Sequence, residues 1–242
     1  MQGLVTTRQY TSISLRSLWS IGFGQVSPYS TINNVQFSTN DTANTIAFMF
    51  LANIPQGLIS ISFLTYNSIL TCMLMEKEWN DYAHERKPLR VSLPTGQQRS
   101  TYYLQLPYSY AVPLITASGL MHWLVSQSIF LARVEAYDSF GQRKPENDVT
   151  TCGYSCIAII FTIILGSVML VTLMILSRRK YRHGMPFAGH CSAVLSAACH
   201  PPPADDKAAA SSLMWGVVEA KDGVARYSFS SRPVQGEGSQ TA

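Results

Sequence analysis

Three long windows contain no Asp, Glu, Lys or Arg: Thr42–Met75, Ser100–Ala132 and Val149–Ser177. They constrain this chain more than any other feature. Only 13% of its residues are charged, against about 25% in a typical soluble domain, and the charges crowd into the gaps between the windows. About 20 apolar residues in a helix cover a hydrocarbon core near 30 Å thick, so windows of this length read as membrane helices. The expected fold is an all-α membrane protein with about three transmembrane helices. A mostly irregular cytosolic C-terminal tail follows, with room for one small β-hairpin.

The third window is the purest. Residues 154–177 make a helix about 36 Å long at 1.5 Å per residue. Thirteen positions within Ile157–Leu176 are Ile, Leu, Val or Phe, together favouring insertion by about 4–8 kcal/mol as an upper bound. The first window supports a helix over 55–75, since Pro55 is tolerated at a helix start. Ile46–Leu51 is then an upstream turn of the same helix, kinked at that proline. Pro107 and Pro113 interrupt the second window and confine its helix to 113–133. The Tyr-rich stretch Tyr102–Tyr110 suits a headgroup-level lead-in. The resulting plan is an extracytosolic segment at 1–44, a transmembrane region at 45–177 and a cytosolic, partly disordered tail at 178–242.

Polar residues inside the windows are patterned. At 100° per residue, Gln56, Ser60, Asn67 and Thr71 fall within about a 60° stripe, and Ser118, Gly119, His122 and Ser126 share a face about 100° wide. Such faces suit another helix or a wet cavity better than lipid. Counted from the expected helix ends, Asn67 and His122 lie at matching depths, which predicts a hydrogen bond between the two stripes. An ionisable residue inside a membrane helix is a functional candidate by default, although a simple helix–helix contact is the commoner outcome.

Basic residues set the orientation. Lys77, Arg86, Lys87, Arg90 and Arg99 separate the first two helices, whereas Arg133, Arg143 and Lys144 separate the second and third. Arg178, Arg179, Lys180 and Arg182 follow the third, as a topology anchor and a contact for anionic lipid. The first loop and the tail are thus expected in the cytosol. Asn40-Asp41-Thr42 has the form of a glycosylation acceptor on the outer side, a pattern also frequent by chance. Residues 1–44 hold no charged segment followed by an apolar one, as a signal peptide would. The expectation is a C-terminal part of a longer membrane protein, whose earlier helices precede this chain.

The remaining motifs are sparse. Five scattered cysteines do not form a disulfide framework, and a Cys152–Cys156 bridge is the one local pairing. Cys191 and Cys199 follow the last helix closely enough for acylation. His190-Cys191 and Cys199-His200 are spaced too widely for a zinc module, so no metal is expected. Phosphate loops, nucleophile elbows and metalloprotease or calcium motifs are absent. Neither an enzyme nor a cofactor is therefore expected, and a net charge of +4 with no basic aromatic patch excludes nucleic acid. Glu76–Lys87 reads as a helical extension carrying Trp79 and Tyr82 at the interface. Residues 201–210, including Asp205 and Asp206, read as a linker. Met214–Val218 and Val224–Phe229 are able to pair around Lys221-Asp222-Gly223.

Several strings resemble a group of uncharacterised fungal integral membrane proteins, whose longer members begin with a domain of unknown function. They include Leu18-Trp19-Ser20-Ile21-Gly22-Phe23-Gly24, Ala52-Asn53-Ile54-Pro55-Gln56 and Arg86-Lys87-Pro88-Leu89-Arg90-Val91. The most distinctive is Gly119-Leu120-Met121-His122-Trp123-Leu124-Val125-Ser126-Gln127-Ser128, and Ala197-Ala198-Cys199-His200-Pro201-Pro202 and Met214-Trp215-Gly216-Val217 are also similar. The resemblance runs over nearly the whole chain and implies a match to the C-terminal half of that family. It brings no activity and no catalytic residues. The expected role is structural, sensory or scaffold, with the bilayer and other membrane helices as partners. The alternative is a fragment of a transporter or channel whose polar faces, with Asn67 and His122, line a pathway.

Overall fold

The structure is a computed structural model, and it describes residues 15–20, 22–26, 30–32, 37, 40–135, 137–143, 148–180, 185, 191–200, 202–203, 205–221 and 224–234. Among these, helices α1 (Leu15–Ser20), α2 (Asp41–Asp81), α3 (Tyr108–Ser128), α4 (Cys156–Ser177) and α5 (Ser192–Ala198) alternate with short strands. The strands are β1 (Lys87–Pro88), β2 (Arg90–Val91), β3 (Arg99–Ser100), β4 (Ile129–Val134), β5 (Val149–Tyr154), β6 (Ser212–Lys221) and β7 (Val224–Ser230). They form three sheets. The expected all-α fold is therefore corrected to a mixed α and β one. The expectation of three spans is corrected as well: among the described residues two helices, α2 and α4, are long and apolar enough to cross a membrane.

α2 and α3 depart from their sequence readings for local reasons. α2 runs through 41 residues without a break at Pro55, about 60 Å at 1.5 Å per residue, twice the thickness of a hydrocarbon core. Asn40 caps its start, its side-chain oxygen accepting from the amides of Thr42 at 3.0 Å and Ala43 at 3.3 Å. Pro113 does not begin α3 but lies inside it. At the other end, the β-branched and aromatic run Ile129-Phe130-Leu131 suits a pleated strand at least as well as a helix. α3 accordingly stops at Ser128. Being charge-free was read as being helical, and at β4 that inference fails.

The chain divides into two compact units, Met1–Thr65 with Leu114–Leu173, and Tyr66–Pro113 with Met174–Ala242. In the first, β4 and β5 form an antiparallel ribbon in unbroken register from Ile129↔Tyr154 to Val134↔Val149. Gly153 is required there: a Cβ on it would stand 2.5 Å from the Phe130 ring, far inside van der Waals contact. Arg133 and Arg143 both reach Asp148, at 3.4 and 2.7 Å, beyond the end of the ribbon. Phe23 stacks on Trp123 of α3 with ring centroids 5.3 Å apart. Cys152 is fully buried and lies 3.5 Å from the Phe48 carbonyl. Burial pushes its thiol pKa up, and no disulfide links it to Cys156.

The second unit has its own core of Trp79, Tyr82, Met185, Ala198, Ala208, Leu213 and Phe229. Phe229 is its hub, meeting the rings of Trp79, Tyr82 and Trp215 edge-on at 5.3, 5.4 and 5.3 Å. Trp79 and Tyr82, expected at a membrane interface, are core residues instead. The tail is correspondingly not irregular. The anticipated hairpin is present as β6 and β7, paired from Met214↔Ser230 to Lys221↔Val224, and it recruits β1 through Lys87↔Leu213. Gln97 fastens the same junction: its side-chain oxygen accepts from both the amide and the hydroxyl of Ser212 at 2.9 Å. The loop after α2 and the distant tail thus fold together.

Residues 201–210 are more than a linker. Asp205 is 5% exposed, and its carboxylate accepts from the Ser230 hydroxyl at 2.8 Å and from the Ser231 amide at 2.7 Å and hydroxyl. Desolvation alone would raise its pKa. The hydrogen bonds from Ser231 and Ser230, with the Arg232 charge, outweigh that and hold it below the ordinary carboxylate value. A short 3-10 turn, Ala208–Ala210, then leads into β6.

Candidate functional site

The two polar stripes meet through a hydrogen bond, though not at the depth-matched pair of Asn67 and His122. His122 pairs with Gln56 rather than with Asn67. Its Nδ1 lies 2.7 Å from Gln56 Oε1, and the Gln56 amide nitrogen donates to the His122 carbonyl at 3.1 Å. One amide group therefore holds both the ring and the main chain of a single residue. Because Oε1 only accepts, the proton in that contact sits on His122 Nδ1. Depth does not select the partner, because α2 runs on to Asp81 and α3 begins at Tyr108, which leaves Asn67 and His122 at matching depths.

The rest of the two stripes is satisfied locally or not at all. Ser60 donates to the Gln56 carbonyl at 3.1 Å and Ser126 to the Trp123 carbonyl at 2.7 Å. Ser118 is half-buried, and a Cβ on Gly119 would meet nothing within 4 Å, so its small size serves no close approach here. Asn67 Oδ1 and Thr71 Oγ1, one turn apart, are buried with no partner among the described residues. α3 also meets α4, where the hydroxyls of Ser128 and Thr162 lie 3.2 Å apart. Hydrogen bonds of this kind contribute about 0.5–1.5 kcal/mol each.

A second site was missed because its residues had been read only for topology. Within the second unit a cavity of about 370 Å³ is walled by Leu74, Met75, Lys77, Arg99, Gln105 and Tyr110, with the ion-paired segment 78–90 completing it. Arg90 is held at 2.6 Å by Glu78, and Lys87 at 2.6 Å by Asp81 and 3.6 Å by Glu85. Arg86 donates to the Ser231 carbonyl. Tyr110 accepts from Arg179 at 3.0 Å. On the cavity wall, Gln105 has φ +58°, after Leu104 at +55°, a left-handed backbone that costs about 1–2 kcal/mol per non-glycine residue. The sequence signal was the density of basic residues between 77 and 99. What it lacked was any sign of which of them would be neutralised.

The other candidates stand apart. Arg178, Arg179 and Lys180 follow α4, and Arg182 lies outside the described residues, as does His190. Cys191 and Cys199 are exposed on either side of α5, and His200 Nδ1 lies 2.7 Å from the Ser196 carbonyl. No group of metal-ligating side chains occurs among the described residues. Asn40, the glycosylation candidate, spends its side-chain oxygen on the α2 cap.

A family model described as a domain of unknown function, DUF8419, matches residues 4–242. The chain belongs to this family. Nearly the whole of this DUF8419 member is covered, so both units fall within the family's definition. No curated protein and no solved structure matches it.

Proposed function

We propose that this DUF8419 member is a multi-pass integral membrane protein of structural, sensory or scaffold role, whose C-terminal tail lies at the cytosolic face. The observation that carries the reading is the uncovered apolar surface of α2 and α4. In each helix only 6% of the most apolar stretch is buried, and residues such as Leu58, Ile61 and Leu64 or Ile163, Leu170 and Ile175 are 60–64% exposed. Water would penalise that surface by about 25 cal/mol for each Å², and a bilayer would not. The basic residues Arg178, Arg179 and Lys180 that follow α4 support the cytosolic placement of the tail. Lipid and other membrane helices are the partners, and no chemistry is assigned. Alkaline carbonate extraction tests the anchoring: the chain stays with the pelleted membranes, and its release into the supernatant would defeat the reading. An engineered glycosylation acceptor between Ser139 and Phe140 is modified and one after Lys207 is not, if the orientation holds.

A fragment of a transporter or channel is the second reading. It is favoured by Asn67 Oδ1 and Thr71 Oγ1, buried oxygens without partners, which suit a missing helix or a passing solute. His122→Leu separates the two readings. Weakened helix packing with unchanged solute flux in reconstituted vesicles supports the scaffold, whereas lost flux supports a pathway.

A further inference from the structure

The cavity walled by Lys77, Arg99, Gln105 and Tyr110 has a charge balance that selects a ligand class. Five cations, Lys77, Arg86, Lys87, Arg90 and Arg99, face three carboxylates, Glu78, Asp81 and Glu85. The carboxylates are committed: Glu78 to Arg90, and Asp81 and Glu85 to Lys87. Lys77, Arg86 and Arg99 remain without a carboxylate. Lys77 and Arg99 have no side-chain hydrogen-bond or ion-pair partner among the described residues, and both are exposed. Tyr110 accepts from Arg179, so its own proton remains for donation. The cavity, at about 370 Å³, lies within the range of about 300–1,000 Å³ usual for small-ligand sites.

We propose that this cavity binds a phosphomonoester, carried on a lipid headgroup or on a soluble molecule. A surplus of two positive charges matches the roughly −1.5 to −2 of a phosphomonoester near neutral pH, whereas a phosphodiester brings about −1. Guanidinium and ammonium groups arriving from α2, from the loop after it and from β3 suit a tetrahedral anion with several acceptor oxygens. Leu74 and Met75, the last apolar residues of the first charge-free window, share the wall with Lys77. If α2 crosses the bilayer, as proposed above, the cavity mouth stands at headgroup level, which favours the lipid source. Phosphate recognition itself does not depend on that reading.

The test uses the full chain in detergent micelles, with binding followed by thermophoresis. The probes are dioctanoyl phosphatidylinositol 4-phosphate, dioctanoyl phosphatidylserine and water-soluble inositol 1,4-bisphosphate. The phosphoinositide binds saturably. Lys77→Gln with Arg99→Gln weakens it about tenfold or more, while the charge-matched control Arg16→Gln with Lys207→Gln leaves it unchanged. Displacement by the soluble bisphosphate at comparable concentration assigns a soluble source, and binding that needs the acyl chains assigns a lipid. Equal binding of phosphatidylserine, no probe bound, or full affinity in the Lys77 and Arg99 variant would overturn the proposal. Thermal unfolding checks that the variant is folded. Arg99→Gln alone, which removes no side-chain hydrogen bond or ion pair among the described residues, serves if the pair is not. Carbonate extraction of the same preparation reports separately on the membrane reading.

Discussion

Phe229→Ala should destabilise the second unit while leaving the first intact. Phe229 is 5% exposed and touches the rings of Trp79, Tyr82 and Trp215. Truncating a buried phenylalanine to alanine costs about 3–5 kcal/mol, and each lost aromatic pair accounts for about 0.5–1.5 of that or more. A unit of this size has only about 5–15 kcal/mol in hand, so the substitution removes about a fifth of it or more. The expected fall in melting temperature is about 10–20 °C. Tryptophan fluorescence reports it directly, because Trp79 and Trp215 lie in the second unit and Trp19 and Trp123 in the first. A Trp19→Phe, Trp123→Phe background isolates the signal. A midpoint within about 0.5 kcal/mol of the parent would refute the reasoning, since surface changes alone stay in that range. It would mean that the tail is not packed on the end of α2.

Asp205→Asn should destabilise the second unit by about 1–3 kcal/mol at neutral pH, through weaker bonds to Ser230 and Ser231. Because the folded pKa of Asp205 lies below its ordinary value, its contribution is complete above that ordinary value and is lost as pH falls through the folded one; acid unfolding curves of parent and variant should therefore converge. Gly153→Ala should cost about 1–3 kcal/mol in the first unit through the clash with Phe130, and a Phe130→Leu change should recover part of it in thermal scans. Asn40→Ala should cost about 1 kcal/mol at the start of α2 and raise amide exchange at Thr42 and Ala43, whereas Asn40→Asp, which keeps an acceptor, should not.

What the sequence disclosed was whatever depends on a single stretch of chain. α4 was expected over 154–177 and occupies Cys156–Ser177, since a run of Ile, Leu and Val declares itself without reference to anything else. The β6–β7 hairpin was legible for the same reason, its two alternating runs flanking one turn. The β4–β5 ribbon was not, because apolarity does not distinguish a strand from a helix over six residues. Within the charge-free windows, stripes marked which faces were polar but not what they touch. His122 meets Gln56 and not the depth-matched Asn67, because depth alone does not say which member of a stripe faces a neighbour.

The second unit was hidden for a different reason. Its joints are non-local: Gln97 meets Ser212 across 115 residues, and Trp79 meets Phe229 from opposite ends of the unit's two segments. Composition near Trp79 looks interfacial, and composition near residue 205 looks like a linker, until each is placed against the other. The same holds for charge. A loop count treats Lys77, Arg86, Lys87, Arg90 and Arg99 as five equal contributions to topology. Folding divides them, because Glu78 and Asp81 lie one turn apart on α2 and hold Arg90 and Lys87. Lys77 and Arg99 are left facing a cavity. Membrane orientation depends on the total, but recognition depends on the remainder after pairing, and that remainder is a property of the fold.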